Sequence, residues 1–418
     1  MKLLTRHLFI EAIRHIFQEN NTQHKYTLIY TGINHALQMA SLLQGTAAET
    51  ELIAVIQALI FSKVKSMPHA LMGKLGSNRL GIILELPVRD SVEFAEELAG
   101  LLDRQCLSIG GNFYYPKLII GVTALAPEYK TPERILAAVD EALSQSRQAG
   151  NSVVKLIEHD DPVLQEYYDS LKLLPDLREG LMNKSFVLYA QPIVSINHAV
   201  SEQKAEVLLR YKNRQGEIDS QGRFLQTANL FHISREVDFY VVHQFCRFID
   251  QQKHQDVIYS LNISGSTIRY PPFLDVVANE FKRFGVNPEQ VCFEITERVA
   301  DQDYQQAITF MHLLKDQLGC QLSLDDIGIG SSNLSNLGKF NVDFMKIDGS
   351  FINNLIHDPY SELVVSFINS AARLYNKKTI AEYVENSQQL EKLKELGVDY
   401  AQGYFTGKPE PLFDPSLN

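Results

Sequence analysis

The sequence predicts an α/β protein in two parts, an α/β sandwich followed by a (β/α)8 barrel of the TIM type. Three observations predict it. From residue 186 onward, short apolar runs end in a polar cluster eight times. Helix-like stretches separate most of these runs. Together they fill about 230 residues, the size of such a barrel. At 418 residues and 45% apolar composition, the chain has room for two ordinary cores.

Residues 1–157 read as the sandwich. A helix runs through Phe17, a strand covers Tyr26–Tyr30, and a long helix extends to about Lys65. Strands at Gly81–Leu86 and Leu118–Val122 and a helix at Pro132–Gln148 complete it. Thr131, Pro132 and Glu133 suit a helix cap and first turn, and Gly150 a stop. Residues 158–184 read as a helical linker, with Leu164, Tyr167, Tyr168, Leu171, Leu177 and Leu181 as its stripe. The barrel is assigned to residues 185–414. Its eight strands are Val187–Gln191, Ala205–Arg210, Ile258–Asn262, Val291–Glu297, Gln321–Asp326, Phe344–Asp348, Thr379–Glu385 and Tyr400–Gln402. Helices such as Phe239–Gln252, Tyr304–Leu318, Ser361–Tyr375 and Gln388–Leu396 lie between them.

Composition narrows the function. A net charge of -11 argues against a broad basic surface for DNA. Cys106, Cys246, Cys292 and Cys320 are too widely spaced for a zinc clamp or redox pair and suit reduced thiols in the cytoplasm. The N-terminus has the mixed charge of an amphipathic helix, not a signal peptide. The longest apolar run, Leu52–Phe61, is interrupted by Gln57 and is about half a membrane span. Gly328-Ile329-Gly330 lacks a third glycine at Asn333, so it is a poor dinucleotide loop.

In a parallel barrel the C-terminal strand ends share one mouth. Lined up there in chain order are Glu206, Asn262, Glu294, Asp325 with Asp326, Lys346, Glu382 with Glu385, and Gln402. Side chains alternate faces along a strand, so the adjacent acids Asp325 and Asp326 can both serve one site only where the strand is ending. Carboxylates at this density repel one another unless neutralised. Hard oxygen ligands without histidine or cysteine suit Mg2+ or Mn2+. Two carboxylates and an ammonium delivered by successive strand ends suit a divalent metal ion and a phosphate.

These segments also carry a resemblance. Ala205-Glu206-Val207-Leu208-Leu209-Arg210, Leu261-Asn262-Ile263-Ser264, Glu294-Ile295-Thr296-Glu297, Asp325-Asp326, Lys346-Ile347-Asp348, Ala381-Glu382-Tyr383-Val384-Glu385 and Gln402-Gly403-Tyr404 resemble the successive motifs of the EAL domain. The resemblance covers about residues 177–412 and implies hydrolysis of cyclic di-GMP to linear pGpG. It implies that Glu206, Asn262, Glu294 and Asp325 hold one metal ion, with Asp326 and Glu385 helping to hold the second. Lys346 and Glu382 would position and deprotonate the attacking water, supported by Gln402. Gln191 and Arg210 would contact the ligand, and Glu297 would steady the loop after Asp326. A homodimer through the EAL domain is implied as well.

Val139-Asp140-Glu141-Ala142-Leu143, Gly150-Asn151-Ser152 and Leu4-Thr5 with Phe9 resemble the GGDEF (diguanylate cyclase) domain. Its signature loop would fall at Gly76-Ser77-Asn78-Arg79-Leu80, which has neither acid, and Tyr30-Thr31-Gly32-Ile33-Asn34 has none either. The resemblance therefore implies a degenerate domain used for regulation, dimerisation or a protein partner. In the EAL part, Ile327, Gly328, Ile329, Gly330 and Ser331 depart from the family's usual loop, as Gln226 and Asn229 do in the segment leading to Asp238. A catalytically weak receptor for cyclic di-GMP is the alternative to the enzyme.

Overall fold

The computed structural model describes residues 3–18, 26–34, 46–144, 152–158, 160–183, 185–196, 203–213, 216–219, 222–251, 256–302, 304–328 and 339–413. Gly150, Asn151, Ile329, Gly330, Ser331 and Asn333 lie outside the described residues. The chain divides into two compact units, 1–169 and 170–418.

In the first unit, strands β1 (Leu3–Leu4), β2 (Thr27–Asn34), β3 (Leu71–Lys74), β4 (Arg79–Leu84), β5 (Lys117–Ala124) and β6 (Val153–Leu156) form one sheet in the order β1-β3-β4-β2-β5-β6. Central strands such as β4 and β5 are almost wholly apolar because both sheet faces are covered. Ile29, Leu52, Ile56 and Ile120 belong to one core, and Phe9, Ile13, Leu28 and Val139 to the other. The sequence reading omits the helix Val88–Asp103, whose buried Ala95, Leu98, Ala99 and Leu102 sit among exposed acids. It also omits β3, where Met72 and the glycine that follows leave a weak alternating pattern.

The second unit is a closed eight-stranded barrel. Its strands are β7 (Phe186–Ser195), β8 (Gln203–Lys212), β9 (Val257–Asn262), β10 (Val291–Thr296), β11 (Gln321–Ile327), β12 (Phe344–Ile347), β13 (Lys378–Ala381) and β14 (Tyr400–Ala401). Neighbours from β8 to β14 pair in parallel in sequence order. The first strand corrects the expected eightfold β/α repeat, because β7 runs antiparallel to both β8 and β14. Only residues 196–202 connect β7 to β8, too few for the helical crossover that a parallel pair requires.

Alternation along the strands divides the barrel interior into layers. Ile193, Cys292, Phe344, Ile380 and Tyr400 form an apolar plug at one end, and the Lys204 ammonium lies 4.4 Å from the Phe344 ring centroid. Two residues further toward the mouth along the same strands come Gln191, Glu206, Glu294, Lys346, Glu382 and Gln402. The period of two thus places polar side chains directly above a sealed base.

Candidate active site

The centre of the mouth is Lys346, 1% exposed. It is delivered by β12, whose four residues are all buried. Its Nζ lies 2.8 Å from Glu382 Oε1, 2.9 Å from Glu294 Oε2, 3.3 Å from Glu206 Oε2 and 3.4 Å from Asp325 Oδ1. Burial opposes charge on this amine, but Asp325, Glu206, Glu294 and Glu382 together hold it well above the usual lysine range.

One ammonium cannot neutralise four carboxylates. Burial, only partly offset by Lys346, pushes Glu294 up to about 8, with Glu206 and Asp325 adding repulsion. Burial also raises Asp325 and raises Glu382 well above the carboxylate range, against the pull of Lys346. Glu206 goes the other way: burial would raise it, but Lys346, Gln402 and Asn262 hold it low. Asn262 Nδ2 donates to Glu206 Oε1 at 2.7 Å, and Gln402 Nε2 donates to Glu206 Oε2 at 2.7 Å. Gln402 Nε2 also donates to Gln191 Oε1 at 3.2 Å, and Gln191 Nε2 to the Gly407 carbonyl at 3.0 Å. Gln191 faces Glu206 across the antiparallel β7–β8 pair, so the hairpin places Gln191 in the polar layer although its strand runs the opposite way.

The adjacent acids reach one site where the strand is ending, one residue before its last, Ile327, with the help of a backbone break. Asp326 lies inside β11 with φ of +57°, and the β11–β12 register shifts between Leu324 and Ile327. The left-handed residue breaks the alternation, at a cost of roughly 1–2 kcal/mol for a non-glycine. Oxygen atoms of Asp325, Asp326 and Glu382 consequently lie within 4.8 Å of one another. Asp326 is pushed up to about 6 by burial and by the neighbouring Asp325 and Asp348. Next along, the Gly328 amide donates to Glu297 Oε2 at 3.2 Å, so Glu297 holds the first residue of the following loop.

Arg210 and Glu385 stand apart from this network. Arg210 Nη1 donates to the Leu209 carbonyl at 2.9 Å, and Glu385 is exposed while its amide donates to Gln389 Oε1. Asp238, on the helix Ser234–Gln251, accepts from the Ser264 amide and from the Ser264 and Thr267 hydroxyls, thereby pinning the segment just after Asn262. Sequence reasoning gave that aspartate no role, since only the fold brings it to Ser264. Acids at the opposite end of the barrel are satisfied differently. Asp343 accepts from the Leu322 amide and Lys315, and Asp399 from the Thr379 amide and Lys378, so these carboxylates tie strand starts together.

The donor set fits divalent cations. Its groups are oxygen ligands in surplus over the single ammonium, and Glu294 Oε1 is buried without a hydrogen-bond partner. Residues 175–409 match the model of the EAL domain. The chain belongs to the EAL domain family. Cyclic di-GMP phosphodiesterase PdeB of Shewanella oneidensis is 27% identical over 88% of this chain and 43% of its own length. This chain spans between a third and a half of the first curated relatives it matches. The solved PaMucR phosphodiesterase in complex with cyclic di-GMP is 32% identical, with a TM-score of 0.53 over 57% of this chain and 98% of that one. A LapD chain of Vibrio cholerae comprising S helix, GGDEF and EAL parts shares the fold over 96% of this chain and 94% of that one, at 17% identity and a TM-score of 0.56.

Proposed function

We propose that this EAL domain hydrolyses cyclic di-GMP to linear pGpG with two divalent ions, Mg2+ or Mn2+. The observation that carries the reading is the surplus of carboxylates around Lys346, with Asp326 beside it. Glu206, Asn262, Glu294 and Asp325 would hold one ion, and Asp326 with Glu385 would help to hold the other. Bound there, the ions would acidify water toward neutrality and offset charge on the phosphoryl oxygens. Once bound ions offset the surplus of acids and Glu382 gives up its own proton, Glu382, kept in place by Lys346, would accept the proton of the attacking water. Gln402 holds Glu206 in orientation, Gln191 and Arg210 meet the ligand, and Glu297 holds the loop at Gly328.

The first unit is read as a degenerate GGDEF module, supported by the fold likeness to LapD. Arg79 stands where the signature loop would place an acid, and its Nε lies 2.8 Å from Asp140. The arginine crosses Gly32 so closely that a Cβ there would sit 1.8 Å from Nη1. A cation seated in this way suits regulation better than nucleotide triphosphate chemistry, which needs metal-binding acids. On the helix Pro359–Leu374 the exposed Tyr360, Leu363, Phe367 and Leu374 support a homodimer through the EAL domain. Among the described residues no helix is long and apolar enough to cross a membrane, and we place the activity in the cytoplasm.

The test is incubation with cyclic di-GMP and Mg2+ or Mn2+, following pGpG by chromatography beside Glu206→Ala. Metal-dependent product that disappears in the variant establishes the phosphodiesterase. Saturable binding without product assigns the chain to the receptor class, and the absence of both turnover and binding removes both readings.

A further inference from the structure

Six non-glycine residues have positive φ among those described: His69, Lys130, His232, Asp326, Asn376 and Tyr383. Asn376 and His232 each follow the end of a helix, where a left-handed turn is ordinary. Tyr383, at φ of +54°, is different: it is bulky, and it directly follows Glu382 at the mouth. Strain of this kind persists where surrounding structure enforces it, and it clusters at functional sites.

The surroundings show what the strain accomplishes. Glu382 points inward to Lys346, 2.8 Å away, and Val384 is fully buried with its amide donating to the Gln402 carbonyl at 3.0 Å. Tyr383 lies between these two anchors, and its side chain turns across the end of β12 onto Gly349. A Cβ at Gly349 would sit 2.2 Å from ring carbon Cδ2, so the ring is seated against bare backbone. Yet Tyr383 is 61% exposed. A flat, rigid ring is thus propped on one side and open on the other, beside the proposed proton acceptor. Burial first, and then the charges of Glu382, Glu206, Asp348 and Asp326, push its phenol up and keep it neutral.

We propose that Tyr383 is a substrate contact, an aromatic platform at the barrel mouth on which one purine base of the cyclic dinucleotide stacks. The inference deepens, and rests on, the reading of the site as one for cyclic di-GMP. Stacking needs a π-face with few rotamers, which the seated ring supplies, and it does not need the hydroxyl. Orientation of the base would align the phosphodiester with Glu382 without the ring taking part in the chemistry.

Binding of cyclic di-GMP is measured by calorimetry on the full chain in a Glu382→Gln background, where proton acceptance is removed, and then with Tyr383→Gly or Tyr383→Phe added. Glycine accepts positive φ without strain, so the Gly variant keeps its fold. Tyr383→Phe is expected to bind within about twofold of its parent, and Tyr383→Gly about tenfold more weakly. With Glu382 intact, Tyr383→Gly raises KM by about the same factor and leaves kcat within about twofold. Unchanged affinity in Tyr383→Gly overturns the platform alone. A fall in kcat at constant affinity also overturns it, because the strained residue would then act through the position of Glu382. Absence of binding by the Glu382→Gln parent removes the cyclic dinucleotide reading, and the platform with it.

Discussion

Replacing Lys346 by methionine isolates the electrostatics of the site. The side chain is 1% exposed, and four carboxylate oxygens lie within 3.4 Å of its Nζ. Methionine fills much of the volume but leaves these acids without their central cation. Breaking a buried ion pair by removing one partner costs about 3–5 kcal/mol. A unit the size of residues 170–418 loses roughly 2–4 °C of Tm per kcal/mol, so metal-free Lys346→Met should melt roughly 6–20 °C lower at pH 8. Lys346 is held above its ordinary range, so its contribution is fully present at pH 5.5 and at pH 8. The pH dependence therefore comes from the acids. Glu294, raised to about 8, and Asp326, raised to about 6, favour the folded state when protonated, and this contribution is lost as pH rises through those values. At pH 5.5 both carry protons, and the deficit of the variant should shrink to about half or less. Mn2+ at pH 8 should restore part of the lost Tm by replacing the missing positive charge. The assay is thermal denaturation in chelator at both pH values, followed by metal addition. A Tm within about 2 °C of the parent at pH 8, or an equal deficit at both pH values, would refute the charge-surplus argument.

Two further outcomes concern the site and its support. Metal affinity should rise with pH, because ions compete with the protons on Asp326 and Glu294: calorimetric Mn2+ binding is expected to strengthen roughly tenfold or more from pH 6 to pH 8, and a flat profile would contradict the proposed ligands. Asp238→Ala strips the acceptor from the half-buried Ser264 amide and hydroxyl and from the buried Thr267 hydroxyl, which should cost about 2–4 kcal/mol in denaturant melts, whereas a loss under about 1 kcal/mol would show that the segment after Asn262 does not depend on it.

Much of the barrel was legible in the chain because strand alternation and strand-end polarity are local properties. Lys346, Glu382 and Glu294 each stand two residues beyond an apolar position, Phe344, Ile380 and Cys292, so the polar ends of the apolar runs pointed to the mouth before any fold was known. The helix Val88–Asp103 escaped because its buried face is made largely of alanine and leucine among acids, and β3 because a glycine interrupts its short run. Expecting a (β/α)8 barrel with helices between most of its strands left the reversed first strand unread, since direction depends on the length of a connection and on pairing with residues far along the chain.

The sequence by itself determined which chemistry the mouth could hold: hard acids, one lysine and two amides at strand ends, in the order of the EAL motifs. Tertiary structure decided how they combine. It set Lys346 against four acids drawn from four other strands or the residues just after them, opposed Gln191 to Glu206 through an antiparallel pair, and turned Asp326 and Tyr383 into left-handed conformations. Each of these depends on contacts between residues tens to hundreds of positions apart, and neither composition nor periodicity encodes a backbone dihedral imposed by packing from outside the strand.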